Sequence, residues 1–148
     1  MRKLRLLLAD DHPQELQFLT KLLSDDFCVV GTVSDGRALI TAAIDLQPHV
    51  IVSDIDMPIL SGLDAVRHVK ALVPDIKVVF LTNHKEPEYI AAAFSAGASA
   101  FLSKIGSRNL RGRLRAVIRD LQTTPPKQFV EHAFLNEDNR VPISKGVA

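Results

Sequence analysis

The chain has 148 residues, 47% of them apolar and 24% charged, and its 18 basic and 17 acidic side chains leave a formal net charge of +1. This is the size and make-up of one globular domain with a proper core, and so balanced a charge excludes a protein that holds nucleic acid or anionic membrane by bulk electrostatics. No apolar stretch approaches the roughly 20 residues of a membrane span, the basic N-terminus leads into too short an apolar run for a signal peptide, and a lone Cys28 cannot form an internal disulfide, which fits a reducing cytoplasm.

Short apolar runs alternate with segments of helical period. Residues 4–9 read as a first strand that stops at Asp10-Asp11, and Pro13 suits the first turn of a helix with Leu16, Leu19, Leu22 and Leu23 on one face. Residues 27–30 read as a second strand ended by Gly31, with Cys28 a small apolar residue inside it. Ser34 or Asp35 caps a second helix that turns Leu39, Ala42, Ala43 and Leu46 inward and stops at Pro48. The third strand, 50–52, ends at Ser53-Asp54; a loop through Asp56-Met57-Pro58 leads to a helix carrying Leu63, Val66, Val69 and Leu72. Residues 76–81 make the fourth strand, 86–94 the fourth helix, ended by Gly97, and 98–102 the fifth strand. A last helix over about 108–121 spaces Leu110, Leu114, Val117 and Leu121 for one face.

Thr123-Thr124-Pro125-Pro126 breaks the pattern, so we expect a domain over 1–122 and a tail over 123–148. In the tail Phe129, Val130, Ala133 and Phe134 have helical spacing, read either as a short amphipathic helix that docks on the domain or a partner, or as a linker. Strand–helix pairs of this length require crossovers and hence a parallel sheet with helices on both faces. The strands are continuous apolar runs, as a doubly covered sheet demands. The predicted fold is α/β, a flavodoxin-like five-stranded parallel sheet of order 2-1-3-4-5.

In such sheets ligands bind outside the carboxyl ends of the strands, where the strand order reverses. Here those ends carry Asp10 and Asp11, Asp54, Thr82, and Ser103-Lys104. A single acid after a strand usually begins a turn or caps a helix, but three carboxylates, the Thr82 hydroxyl and the Lys104 ammonium converging on one edge are hard to ascribe to chance. Clustered carboxylates need a compensating cation, and hard oxygen ligands select Mg²⁺. A metal, a lysine ammonium and a threonine hydroxyl together suit a phosphoryl group, with a carboxylate as its acceptor.

The chain resembles the receiver domains of bacterial two-component response regulators over residues 3 to about 122. The resemblance is carried by Leu6-Leu7-Leu8-Ala9-Asp10-Asp11-His12-Pro13, by Val52-Ser53-Asp54-Ile55-Asp56-Met57-Pro58 followed by Gly62, by Phe80-Leu81-Thr82-Asn83, and by Ala100-Phe101-Leu102-Ser103-Lys104. It implies that Asp54 is the phospho-acceptor, fed by a histidine kinase or phosphotransfer protein. It implies that Asp11, Asp54 and the backbone carbonyl of Asp56 bind Mg²⁺, with Asp10 acting through a water. Lys104 would pair with the acceptor or its phosphate, Thr82 would follow the phosphoryl oxygen, and Phe101 would be an aromatic switch. The surface of the fourth helix, fifth strand and fifth helix would then control a downstream partner or a homodimer. Asp56 and His84 would flank the route of attacking water.

The Asp-Asp-His-Pro opening is similar to the subgroup with a C-terminal helix-turn-helix output, but the residues after Gln122 are too few for that domain, so autonomous DNA binding is not expected. Ile105 stands where many receivers have proline. By themselves His12 and His84 read as exposed loop imidazoles, and the arginines at 108, 111, 113, 115 and 119 as a solvated face. Two rivals to a signalling receiver with no turnover of external substrate remain. One is a haloacid-dehalogenase-like phosphatase, with Asp54 and Asp56 two residues apart; that class needs a further acidic pair downstream of its lysine, whereas this chain has its acidic pair, Asp10-Asp11, upstream and no room for a cap. The other is a receiver fragment of a DNA-binding transcriptional regulator.

Overall fold

A computed structural model describes residues 3–104 and 109–123. In chain order the elements are β1 (Arg5–Ala9), α1 (Pro13–Leu23), β2 (Cys28–Val33), α2 (Gly36–Leu46), β3 (Val50–Ser53), α3 (Gly62–Leu72), β4 (Lys77–Thr82), α4 (Pro87–Ala96), β5 (Ala100–Ser103) and α5 (Leu110–Thr123). The strands are parallel and ordered β2-β1-β3-β4-β5, the expected flavodoxin-like arrangement.

Because side chains alternate across a strand, each strand feeds two cores. Leu6 and Leu8 of β1, Val50 and Val52 of β3, and Val79 and Leu81 of β4 pack with α1 and α5, around Leu19, Leu23, Leu114 and Ile118. Leu7, Ile51, Val78 and Phe80 pack with α2, α3 and α4, around Leu39, Val66, Val69 and Ile90. Burying one such leucine or isoleucine side chain contributes roughly 1.5–3 kcal/mol. Helix ends follow local chemistry. Asp35 caps α2 by accepting the Ala38 N–H at 2.7 Å, Ser61 caps α3 by accepting the Asp64 N–H at 3.1 Å, and Gly97, at φ 109°, closes α4.

Several expectations need correction. Gly31 does not end β2 but lies inside it. The register steps from Leu6↔Val29 to Leu7↔Gly31, so Val30 is bulged and the strand runs on to Val33. A Cβ at Gly31 would sit 2.8 Å from the Leu46 Cδ1, the movable end of a side chain on α2, which would have to shift to make room. Cys28 is exposed on that edge strand rather than enclosed. Leu72 ends α3 at 64% exposure, beyond the reach of the core that takes Val66 and Val69. The arginines of α5 are not merely solvated. Arg111, Arg115 and Arg119 converge on the Asp26 carboxylate at 3.2, 3.2 and 3.7 Å, tying α5 to the loop after α1. Arg108, Ile105 and the tail 124–148 lie outside the described residues.

The β3–α3 loop is tightly gripped. A Cβ on Gly36 would lie 2.1 Å from the Leu60 carbonyl oxygen, and one on Gly62 would lie 2.0 Å from that of Asp54. Between these two contacts Ile59 is forced to φ 70°, with its side chain 74% exposed. A β-branched residue in the left-handed region costs roughly 1–2 kcal/mol, more than so exposed a side chain recovers by burial. Ile59→Gly should therefore stabilise the fold by up to about 1 kcal/mol after the entropy cost of glycine. Urea unfolding measures this, and a lower midpoint for Ile59→Gly would refute the strain.

Candidate functional site

Backbone pairing sets the strand ends side by side. The Asp10 N–H donates to the Val33 carbonyl at 3.1 Å, the Asp54 N–H to Ala9 at 2.9 Å, and the Lys104 N–H to Thr82 at 2.8 Å. Asp10, Asp54 and Thr82 are 1%, 8% and 0% exposed, so three polar residues are buried where the sheet ends. The Asp54 Oδ1 accepts the Ile55 N–H at 2.7 Å, and its backbone carbonyl accepts the Ser53 hydroxyl at 2.8 Å. The Asp54 Oδ2 lies 3.7 Å from the Lys104 ammonium, which donates at 2.7 Å to the Asp10 Oδ2.

Burial pushes the Asp54 carboxyl above the usual aspartate range. Lys104 opposes that, Asp10 reinforces it, and the Ile55 N–H and Thr82 hydroxyl oppose it further. Burial also works against the Lys104 charge, but the Asp10 hydrogen bond and the charges of Asp54, Asp10 and Glu15 outweigh it and hold the ammonium above its ordinary value. The lysine therefore stays charged in a half-buried site, opposite a poorly solvated carboxylate.

Carboxylate oxygens of Asp10, Asp11 and Asp54 and a ring nitrogen of His12 lie within 4.8 Å of one another, a group that could hold a metal ion. The Asp11 Oδ1 is buried and accepts no hydrogen bond, although the His12 Nδ1 is 3.1 Å away. An orphaned carboxylate oxygen beside two more carboxylates fits a cation site. His12 is 68% exposed, and its imidazole is held above its usual value by the hydrogen bond to Asp10 and by the charges of Asp11 and Asp10.

The site residues predicted from sequence come together, with two shifts of partner. Lys104 is nearer to Asp10 than to Asp54. The Asp56 side chain turns to the rim, 68% exposed, where its Oδ2 meets the His84 Nε2 at 2.5 Å. His84 is thus not a bare loop imidazole: its side chain is 24% exposed, and its ring stacks on Tyr89. Phe101 is 4% exposed, directly across from Phe80 in the β4–β5 register. Sequence reasoning noted Ser53 and Gly62 only as parts of a motif, without the Ser53 bond to the Asp54 carbonyl or the close approach of Gly62 to it, and missed Tyr89.

Residues 6–115 match the family model described as the response regulator receiver domain. Among similar proteins, the transcriptional regulatory protein YxjL of Bacillus subtilis is 34% identical over 104 residues, which cover 69% of this chain and 48% of that one. The response regulator GacA of Pseudomonas protegens is 35% identical over 68% of this chain and 48% of its own length. The chain therefore spans about half the length of the curated relatives it matches. Among solved structures, the receiver domain of Mycobacterium tuberculosis NarL superposes with a TM-score of 0.75 at 27% identity, covering 83% of this chain and 99% of that one. The response regulator domain of Thermotoga maritima CheB superposes with a TM-score of 0.77 at 28% identity, covering 84% and 100%. These matches support a phosphorylation-signalling module rather than a haloacid-dehalogenase-like phosphatase. Among the described residues no helix is long and apolar enough to cross a membrane. A five-stranded sheet in this order, acids at the ends of β1 and β3 with a lysine after β5, and a family match over residues 6–115 place the chain among the receiver domains of two-component response regulators.

Proposed function

We propose that Asp54 accepts a phosphoryl group from a histidine kinase or phosphotransfer protein, and that the domain relays the change, in the cytoplasm, to a protein partner or a second copy of itself. The observation that carries this is the buried Asp54 carboxylate facing an ammonium held in place by a second acid. Since Oδ1 is engaged by the Ile55 N–H, Oδ2 is the oxygen free to attack phosphorus. The donor's bond to phosphorus breaks as the new oxygen–phosphorus bond forms, and the donor leaves with the bonding pair. Burial raises the carboxylate's basicity and with it its nucleophilicity, while Lys104 is one short movement from the incoming oxygens.

Asp11, Asp54 and the backbone carbonyl of Asp56 would hold Mg²⁺, with Asp10 acting through a water. The ion supplies positive charge that neutralises phosphoryl oxygens during transfer. Thr82 and Phe101 then carry the change to the surface of α4, β5 and α5. Neither autonomous binding to nucleic acid nor membrane attachment is part of this reading. Incubation with a small acyl phosphate and Mg²⁺ should label the wild type on Asp54 and leave Asp54→Ala unlabelled; equal labelling of the variant would remove the proposal.

Metal affinity ranks the neighbours. Asp11 offers a hard anionic oxygen that accepts no hydrogen bond, and His12 an exposed imidazole. Asp11→Asn should weaken Mg²⁺ binding roughly tenfold or more, and His12→Ala should change it far less. Comparable losses in a calorimetric titration of the two variants would sink this ranking.

A further inference from the structure

His84 sits in the loop between β4 and α4, between the exposed residues Asn83 and Lys85, yet it is folded inward. Its Nε2 meets the Asp56 Oδ2 at 2.5 Å, a residue 28 positions away on the loop after β3. Its ring lies on that of Tyr89, with centroids 3.7 Å apart and planes 10° from parallel. Its backbone N–H donates to the Thr82 Oγ1 at 3.4 Å. Since β3 and β4 are neighbours in the sheet, the His84–Asp56 bridge joins the loop after β3, which begins with Asp54, to the loop after β4.

With Asp56 largely exposed, an ion pair alone would hold this bridge weakly. Tyr89 supplies what the pair lacks. It lies in the first turn of α4 and packs against the core beneath that helix, so its ring is a fixed platform under the imidazole. Resting on the reading of Asp54 as the acceptor, we propose that Tyr89 is a positioning residue of the phosphoryl site, holding His84 across to Asp56 and so lengthening the life of the phosphoryl group. Loss of that group requires a water oxygen to bond to phosphorus as the bond to the Asp54 oxygen breaks. The carboxylate leaves with the bonding pair, and the water's proton passes to solvent as inorganic phosphate forms. A closed bridge narrows the approach of that water. The stack also makes the lifetime depend on the position of α4.

The test follows decay of the Asp54 label in the full chain after removal of acetyl phosphate, with Mg²⁺ present. Tyr89→Ala should lose label about fivefold faster than wild type, and Tyr89→Phe, which keeps the stack, should stay within about twofold. In a His84→Leu background Tyr89→Ala should add nothing. Tyr89 is the single tyrosine in a chain with no tryptophan, so its emission reports the stack without donor or metal and should change in His84→Leu. An unchanged lifetime in Tyr89→Ala, Tyr89→Phe as fast as Tyr89→Ala, further acceleration in the double variant, or unchanged emission in His84→Leu would each overturn the proposal. If Asp54→Ala is labelled like wild type, the underlying reading fails instead.

Discussion

Gly62→Ala is expected to cost more than about 4 kcal/mol and to leave much of the protein unfolded. A Cβ there would lie 2.0 Å from the Asp54 carbonyl oxygen, 3.1 Å from its carbon and 3.2 Å from the Ile55 Cα. All three are backbone atoms, and they cannot swing aside as the end of a flexible side chain can. The Asp54 carbonyl is held by the Ser53 hydroxyl, and the Gly62 N–H donates to the Ile55 carbonyl at 2.7 Å. Relief therefore has to come from moving Asp54 itself, so, if Asp54 is the proposed acceptor, molecules that do fold should also label poorly. Gly112→Ala is the control. Its nearest neighbours are side-chain atoms of Asn109, which can rotate away at the cost of the capping bond that the Asn109 Oδ1 accepts from the Gly112 N–H, and the helix preference of alanine, up to about 1 kcal/mol, offsets that loss. Urea denaturation of both variants decides the matter; a Gly62→Ala midpoint near that of wild type would show that the loop yields more easily than its contacts suggest.

Thr82→Ala should still accept phosphate at Asp54 yet lose most of the response at α4 and α5. A phosphoryl group brings about −1.5 to −2 charges and three acceptor oxygens, which the Lys104 ammonium and the Thr82 hydroxyl can bind together. Drawing Thr82 toward Asp54 vacates space beside β4, and the buried Phe101 ring, across from Phe80, can turn into it. A close-packed core favours two discrete arrangements over a graded one, and phosphorylation biases them only through its different interactions with each. A hydrogen bond to a charged group contributes roughly 1.5–3 kcal/mol, so its loss should remove about a tenfold bias or more. Amide chemical shifts across residues 86–121 on adding beryllofluoride and Mg²⁺ measure the response. A full wild-type response in Thr82→Ala would rule out this route, while leaving the role of Asp54 untouched.

The sheet and the acids at its edge were legible in the sequence because each depends on short-range pattern. Continuous apolar runs announce strands covered on both faces, and Asp10, Asp11, Asp54, Thr82 and Lys104 each stand within two residues of the end of such a run. What escaped depends on partners far along the chain. Gly31 looked like a stop, but pairing with Leu7 on β1 carries β2 through it. The arginines of α5 looked solvated because Asp26, their shared partner, lies 85 residues before Arg111. His84 looked exposed because neither Asp56 nor the Tyr89 ring is visible from its immediate neighbours. That Lys104 leans toward Asp10 rather than Asp54 turns on a difference of one ångström, 2.7 against 3.7 Å, which no residue pattern encodes.

Alternation along β4 puts Thr82 on the same face as Val78 and Phe80, and Phe101 packs on that face too, with α2, α3 and α4. Ala100 and Leu102 turn the other way, toward α1 and α5. The sheet is a partition wall: the proposed switch residues Thr82 and Phe101 share one side with α4, and a change there would reach α5 only through β5. Replacing Leu114 or Ile118 would loosen the core on the α1 and α5 side, whereas replacing Ile90, which shares a core with Phe101, is expected to change the room into which the proposed switch could turn.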